Sequence, residues 1–241
     1  MKDNLLALVP ARKSSKRLPN KNLFPLGSKL LIDYSLQIAV ECEAITCTVC
    51  ASDSDEILEH AKEYIGTFPS LNPVYFIKLP TSLTTDDSLI MPVVRYVMHH
   101  DKIKSSRIDG VVLLQPTSPF RKKEDLLNAI ALYREKNKDI FSVVETNNTL
   151  EKLFLENKNG LPKKVVSFDE QIAQFGTPVY YQNGSIYVIN KSRILSTDVW
   201  VDDQCLFYKM PKEYSINIDT EFDLLLAKVF LEKSKEKNDN N

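Results

Sequence analysis

Between the apolar run Leu5–Val9 and the first glycine, Gly27, the chain reads PARKSSKRLPNKN and crowds Arg12, Lys13, Lys16, Arg17 and Lys21 into one loop. Like charges this close repel one another unless an anion joins them, and the anion that suits such a loop is phosphate. Phosphate cradles usually use glycine so that backbone N–H groups can approach closely. Here, side-chain charge and the hydroxyl of Ser15 would supplement those N–H groups. Polar groups recur after later apolar runs: SDSDE from Ser52, QPTSPFR from Gln115 to Arg121, Asn183-Gly184, and NIDTEFD from Asn217 to Asp223. Each has an ordinary use. Ser52–Glu56 would cap and charge a helix start, Asn183-Gly184 would make a turn, and Thr220 or Asp219 with Asp223 would form a capping box.

Other chemistries find little support. The chain has neither G-x-S-x-G, nor G-x-x-x-x-G-K-[ST], nor G-x-G-x-x-G. His60, His99 and His100 fall in helical stretches with no partnered nucleophile. Cys47 and Cys50 lie in a β-branched run whose i and i+3 positions face opposite ways, so they read as core residues and not as a metal pair or disulfide. A formal net charge of −1 argues against a general nucleic-acid or membrane surface. The apolar runs are too short for a membrane span or a signal-peptide core, so a soluble, cytoplasmic protein is expected.

The elements that must position these loops alternate. Strand-like runs at Leu5–Val9, Cys47–Ala51, Val74–Ile77, Gly110–Gln115 and Ile140–Glu145 are separated by helical periodicity at 30–43, 55–64, 88–100 and 123–136. This order predicts an α/β fold: a mainly parallel twisted sheet sandwiched by helices, with ligands beyond the carboxyl ends of the strands. The rhythm breaks at 146–182, which reads as a small antiparallel excursion and a dimerisation element. It resumes at Gly184–Asn190 and closes with a helix at Glu221–Lys233. One domain is expected over 1–233, with a frayed charged tail at 234–241.

In this order, PARKSSKRLPNKN, LLQPTSPFR, NGSIYV and SINIDTEFDLLLA resemble the acylneuraminate cytidylyltransferase family and its bacterial nonulosonic acid branch, from Leu5 to about Val229. The resemblance implies a Rossmann-like nucleotidyltransferase fold and a homodimer. It also implies Mg²⁺-dependent transfer of CMP from CTP to a nine-carbon acidic sugar for surface glycans. It implies nucleotide contacts at Ala11, Arg12, Ser15, Lys16, Lys21, Asn22, Thr85 and Ser88, sugar contacts at Gln115, Asn183 and Tyr187, and metal ligands at Asp219 and Asn217. Arg12, Lys16, Lys21 and Asp219 would form the catalytic set.

The pattern departs from the family at several places. Lys13 and Ser14 replace frequent glycines, Leu79-Pro80 stands where Arg-Pro is common, and Asn217 replaces an aspartate. Gln174 stands alone where relatives carry an arginine-glutamine pair. Asn217 implies a single metal ion anchored by Asp219, and the missing arginine favours an acceptor other than common N-acetylneuraminic acid. Leu79 leaves a GTP- or UTP-dependent nucleotidyltransferase as an alternative, and Asn217 leaves a degenerate nucleotide-binding module.

Overall fold

A computed structural model describes residues 3–15, 17–85, 87–146, 152–165 and 178–239. In chain order the strands and helices are β1 (Leu5–Pro10), β2 (Pro25–Leu26), β3 (Lys29–Leu30), α1 (Leu31–Val40), β4 (Cys47–Ser52), α2 (Asp55–Ile65), β5 (Val74–Lys78), α3 (Ile90–His99), β6 (Gly110–Leu113), α4 (Lys123–Lys136), β7 (Ile140–Glu145), β8 (Phe154–Glu156), β9 (Pro162–Lys164), β10 (Tyr180–Asn190), α5 (Lys191–Ser196), β11 (Leu206–Lys209) and α6 (Glu221–Asp239).

The main sheet has seven strands in the order β11-β7-β10-β6-β1-β4-β5. β1 runs parallel to β4 and β6, β4 to β5, and β7 to β11, while β10 is antiparallel to both of its neighbours. The apolar runs settle the layers. In β1, Leu5, Ala7 and Val9 face a core shared with Ile32 and Leu36 of α1, Ile57 of α2 and Ile130 of α4, whereas Leu6 and Leu8 face Met91 and Val94 of α3 and Ile194 of α5. Both faces are covered, so each of these leucines contributes roughly 1.5–3 kcal/mol through burial. Cys50 and Cys47 divide the same way between the two cores, and both remain free thiols. Burial pushes them up to about 12 and about 11, well away from reactive thiolates.

Three differences from the sequence reading matter. β10 begins at Tyr180 and inserts antiparallel between β6 and β7, with its register broken between Gln182 and Tyr187. The antiparallel direction puts the polar start of β10 at the carboxyl ends of its neighbours. α5 and the edge strand β11 carry no periodic signal in the sequence, because six and four residues are too few to establish a period. The charged tail, expected to fray from residue 234, is helical to Asp239. Within the excursion, β8 and β9 form an exposed antiparallel hairpin, while 147–151 and 166–177 lie outside the described residues.

Candidate functional site

Because β10 runs against the other strands, its N-terminal end lies at the same sheet edge as their carboxyl ends. The loops after β1, β5, β6 and β11 gather there, and those after β6 and β11 meet the β10 bulge through Gln115, Ser118 and Ser215. Between them lies a cleft of about 310 Å³, at the lower end of small-ligand sites. One wall is apolar, with Leu79, Leu83, Leu89, Ile90 and Val93. The other is polar, with Arg12, Lys21, Asn22, Gln115, Asn217 and Asp219.

The cationic loop is fixed from several directions. The Ala11 amide donates to the Ala51 carbonyl at 2.9 Å, and the Lys13 amide donates to Asp53 Oδ1 at 2.7 Å. The buried Asn22 donates through Nδ2 to the Arg12 carbonyl at 2.8 Å, and Arg12 Nη1 reaches the Thr85 carbonyl at 2.8 Å. Thr85 and Ser88 share a hydroxyl hydrogen bond of 2.7 Å at the cleft rim. The anion that joins two of the loop's cations, Lys21 and Arg17, is Asp219. Lys21 Nζ lies 2.7 Å from its Oδ1, and Arg17 Nη2 lies 3.3 Å from its Oδ2. Burial pushes the Asp219 carboxyl up, but the hydrogen bond and charge of Lys21, the charge of Arg17 and the Asn217 amide outweigh it and hold the group below the usual carboxylate range. An ionised carboxylate of this kind suits holding a cation better than accepting a proton.

The neighbouring acid serves the helix. Thr220 N and Oγ1 each donate at 2.8 Å to Asp223 Oδ2, and the Asp223 amide returns a bond to Thr220 Oγ1 at 3.2 Å. Of the two caps the sequence allowed, Thr220 is the one used, and Asp219 is left to line the cleft. Asn217 donates through Nδ2 to Asp219 Oδ2 at 3.0 Å, which fixes the amide's orientation, and its Oδ1 is buried without a hydrogen-bond partner. An orphaned carbonyl oxygen beside an ionised carboxylate is a donor set that fits a hard cation such as Mg²⁺. Among the described residues, Asp219 is the one carboxylate that lines the cleft, so a metal here would rest on it together with neutral oxygens.

Gly184 closes the polar end. Its φ is +72°, and a Cβ there would stand 3.1 Å from Gln115 Oε1, 3.6 Å from Asn217 Oδ1 and 3.7 Å from Ser118 Oγ. The absent side chain lets Gln115 and Asn217 approach the β10 backbone. Gly184→Ala is therefore expected to lose about 1–2 kcal/mol of stability from the left-handed backbone and roughly 10²-fold in turnover as Gln115 shifts. Thermal melts and steady-state rates on the same sample separate the two effects.

The structure brings together Ala11, Arg12, Lys21, Asn22, Thr85, Ser88, Gln115, Asn217 and Asp219 around one cleft. Ser15 is half-buried and does not line it, and Lys16 lies outside the described residues, as does Gln174. Asn183 and Tyr187, expected to face a sugar, are placed otherwise. Asn183 is 2% exposed, and its amide accepts from Ser142 Oγ at 2.6 Å and the Ser185 amide at 3.2 Å while donating to Ser215 Oγ at 2.9 Å. Its side chain is consumed in holding the β10 bulge. Tyr187 is buried against Trp200, at 5.8 Å between ring centroids. The histidines do not line the cleft, and His60 pairs with the buried Asp33 at 2.7 Å. Sequence reasoning missed the apolar wall beyond Leu79 and the pairing of Arg17. Leucines after a strand give no sign that they line a cavity instead of a core.

Comparison with known proteins adds the family. The family model described as cytidylyltransferase matches residues 6–239. The chain is 30% identical over 237 residues to a CMP-N,N'-diacetyllegionaminic acid synthase of Legionella pneumophila, covering 96% of this chain and 98% of that protein. It is 27% identical to a pseudaminic acid cytidylyltransferase of Campylobacter jejuni, covering 96% and 97%. It is 29% identical to an N-acylneuraminate cytidylyltransferase of Escherichia coli, covering 94% of this chain but only 52% of that longer protein. Among solved structures, a CMP:2-keto-3-deoxy-manno-octonic acid synthetase complexed with CTP shares the fold, with TM-score 0.66 at 14% identity over 97% of this chain and 100% of that one. The fold and the sequence thus agree, and the chain belongs to the cytidylyltransferase family.

Proposed function

We propose that this enzyme activates a sialic-acid-like nonulosonic acid with CTP, giving the CMP-sugar and pyrophosphate. The observation that carries the reading is the meeting of Lys21, Asp219, Asn217 and Gln115 around one cleft, in a chain whose relatives are named for legionaminic, pseudaminic and acylneuraminic acids. The acceptor's anomeric oxygen bonds to the α-phosphorus of CTP, the bond to pyrophosphate breaks, and the hydroxyl proton is released. Such a transfer needs in-line placement and charge neutralisation more than covalent help. Arg12, Lys21 and the backbone of the first loop hold the triphosphate, with Lys16 in the same loop as a further cation. The wall from Leu79 to Val93, with Thr85 and Ser88 at its rim, receives the nucleoside. Gln115, above Gly184, faces the acceptor.

Asp219 and the Asn217 carbonyl would hold one Mg²⁺, whose chemistry when bound is to neutralise charge on the leaving pyrophosphate. When the triphosphate arrives, Lys21 exchanges part of its pairing with Asp219 for phosphate oxygens. The enzyme would work in the cytoplasm, where CTP is supplied, and no helix among the described residues is long and apolar enough to cross a membrane. A dimer through 146–182 belongs to the same reading. The β8–β9 hairpin exposes Phe154, Leu155 and Leu161, and a two-stranded hairpin alone is marginal in water. Light scattering is expected to give twice the mass of the chain, and a monomer would remove the dimer from the proposal.

Nucleotide choice is the experiment that tests this reading. CTP at a hundredfold excess over its dissociation constant, with Mg²⁺, is expected to raise the melting temperature by roughly 5–10 °C. GTP, UTP and ATP are expected to give less. Preferential stabilisation by GTP or UTP would transfer the reading to another nucleotide.

A further inference from the structure

Arg121 closes the QPTSPFR loop one residue before the cap of α4, and it is only 5% exposed. Its guanidinium donates through Nη2 to the Gln115 carbonyl, through Nη1 to Ser35 Oγ at 2.9 Å and through Nε to Ser185 Oγ at 3.4 Å. Ser35 and Ser185 are fully buried, and Ser35 Oγ donates at 3.2 Å to the same Gln115 carbonyl. All three partners are neutral. Burial pulls the guanidinium down to about 9, so it still carries its charge at neutral pH.

A cation stripped of water with no carboxylate beside it is unfavourable, and an apolar side chain of similar volume would commonly serve stability as well or better. Stability therefore does not account for Arg121. Its partners do: Ser35 lies on α1, Gln115 follows β6, and Ser185 lies in the β10 bulge next to Gly184. Three different nitrogens of the planar guanidinium reach three acceptors on three segments, a spread that the single nitrogen of a lysine does not offer. They meet where a Cβ on residue 184 would stand 3.1 Å from Gln115 Oε1, so the separation of the two segments sets how the Gln115 amide sits above the β10 backbone.

We propose that Arg121 is a positioning residue for the acceptor end of the cleft, its guanidinium fixing the Gln115 segment to the β10 bulge so that the Gln115 side chain meets the sugar. Arg121 itself touches neither substrate. This inference rests on the reading that the acceptor binds at Gln115, and the controls distinguish failure of the one from failure of the other.

Arg121→Lys keeps the charge but loses the fork. It is expected to raise KM for the acidic sugar by roughly tenfold or more while KM for CTP stays within about twofold, because the triphosphate loop is fixed by other contacts. Ser35→Ala and Ser185→Ala each remove one partner and are expected to move the sugar KM in the same direction by less. These two variants carry the test if Arg121→Lys does not fold. A residue that only filled space would lower the melting temperature and leave both KM values unchanged. Unchanged sugar KM across the folded variants, or equal rises for CTP and sugar, would overturn the assignment. Absence of turnover by the wild-type enzyme with CTP and any nonulosonic acid would instead overturn the underlying functional reading, and this inference with it.

Discussion

Replacing Lys21 with methionine is expected to lower turnover by roughly 10²–10³-fold in a chain that stays folded, the usual loss when one preorganised charge-stabilising donor is removed. Lys21 begins a short 3-10 turn after Asn20, whose φ of +56° bends the loop back toward the cleft. Its side chain is 13% exposed, against 66% for Arg17, so its charge acts with less screening than that of the other cation on Asp219. Methionine keeps the apolar stem and removes only the ammonium. The pH profile gives a second readout. The hydrogen bond and charge of Lys21 are what chiefly offset burial and hold the Asp219 carboxyl low, so their loss raises it. At any acidic pH more of the variant is protonated, and the acid limb of kcat/KM moves to higher pH than in the wild type. Undiminished turnover with an unmoved acid limb would show that Lys21 does not serve the triphosphate.

Asp219→Asn is expected to have the larger effect, a loss on the order of 10³-fold or more that added Mg²⁺ does not restore. Two causes combine. The cleft loses the only carboxylate that lines it among the described residues, and Lys21, Arg17 and the Asn217 amide lose the negative charge and one of the two acceptor oxygens of their common partner, so the tie between the loop after β1 and the loop before α6 is weakened. The reciprocal change separates these causes. Asn217→Asp replaces a neutral carbonyl, already buried and unpartnered, with a second carboxylate, and is expected to lower the Mg²⁺ concentration needed for half-maximal rate. Metal titrations of both variants check the pair. Equal Mg²⁺ dependence in wild type and Asn217→Asp would place the metal elsewhere.

What was legible in the sequence was what local pattern determines. Leu5–Val9 and Gly110–Leu113 are buried on both faces, so their continuous apolar runs identify central strands. Thr220 and Asp223 cap α6 through contacts three residues apart. The lining of the cleft was legible where a loop directly follows such a strand, as with Arg12, Lys21 and Gln115. What depended on long-range meeting was not. Lys21 and Asp219 are separated by 198 residues, and nothing local says that the acid neutralises that lysine. Asn183 points inward because β10 inserts antiparallel with a bulge, which places Ser142 and Ser215 around its amide. Arg121 ends a proline- and serine-rich turn, and nothing local marks it for burial. Only the packing of α1, β6 and β10 encloses it.

The most direct test is pyrophosphate release by the wild-type enzyme across a matrix of CTP, GTP, UTP and ATP against a panel of nonulosonic acids, with Mg²⁺ and with chelator. The expected result is release confined to the CTP column, with at least one nine-carbon acidic sugar, dependent on Mg²⁺ and accompanied by the CMP-sugar. Release with another nucleotide in preference to CTP, or none across the panel from folded protein, would contradict the account.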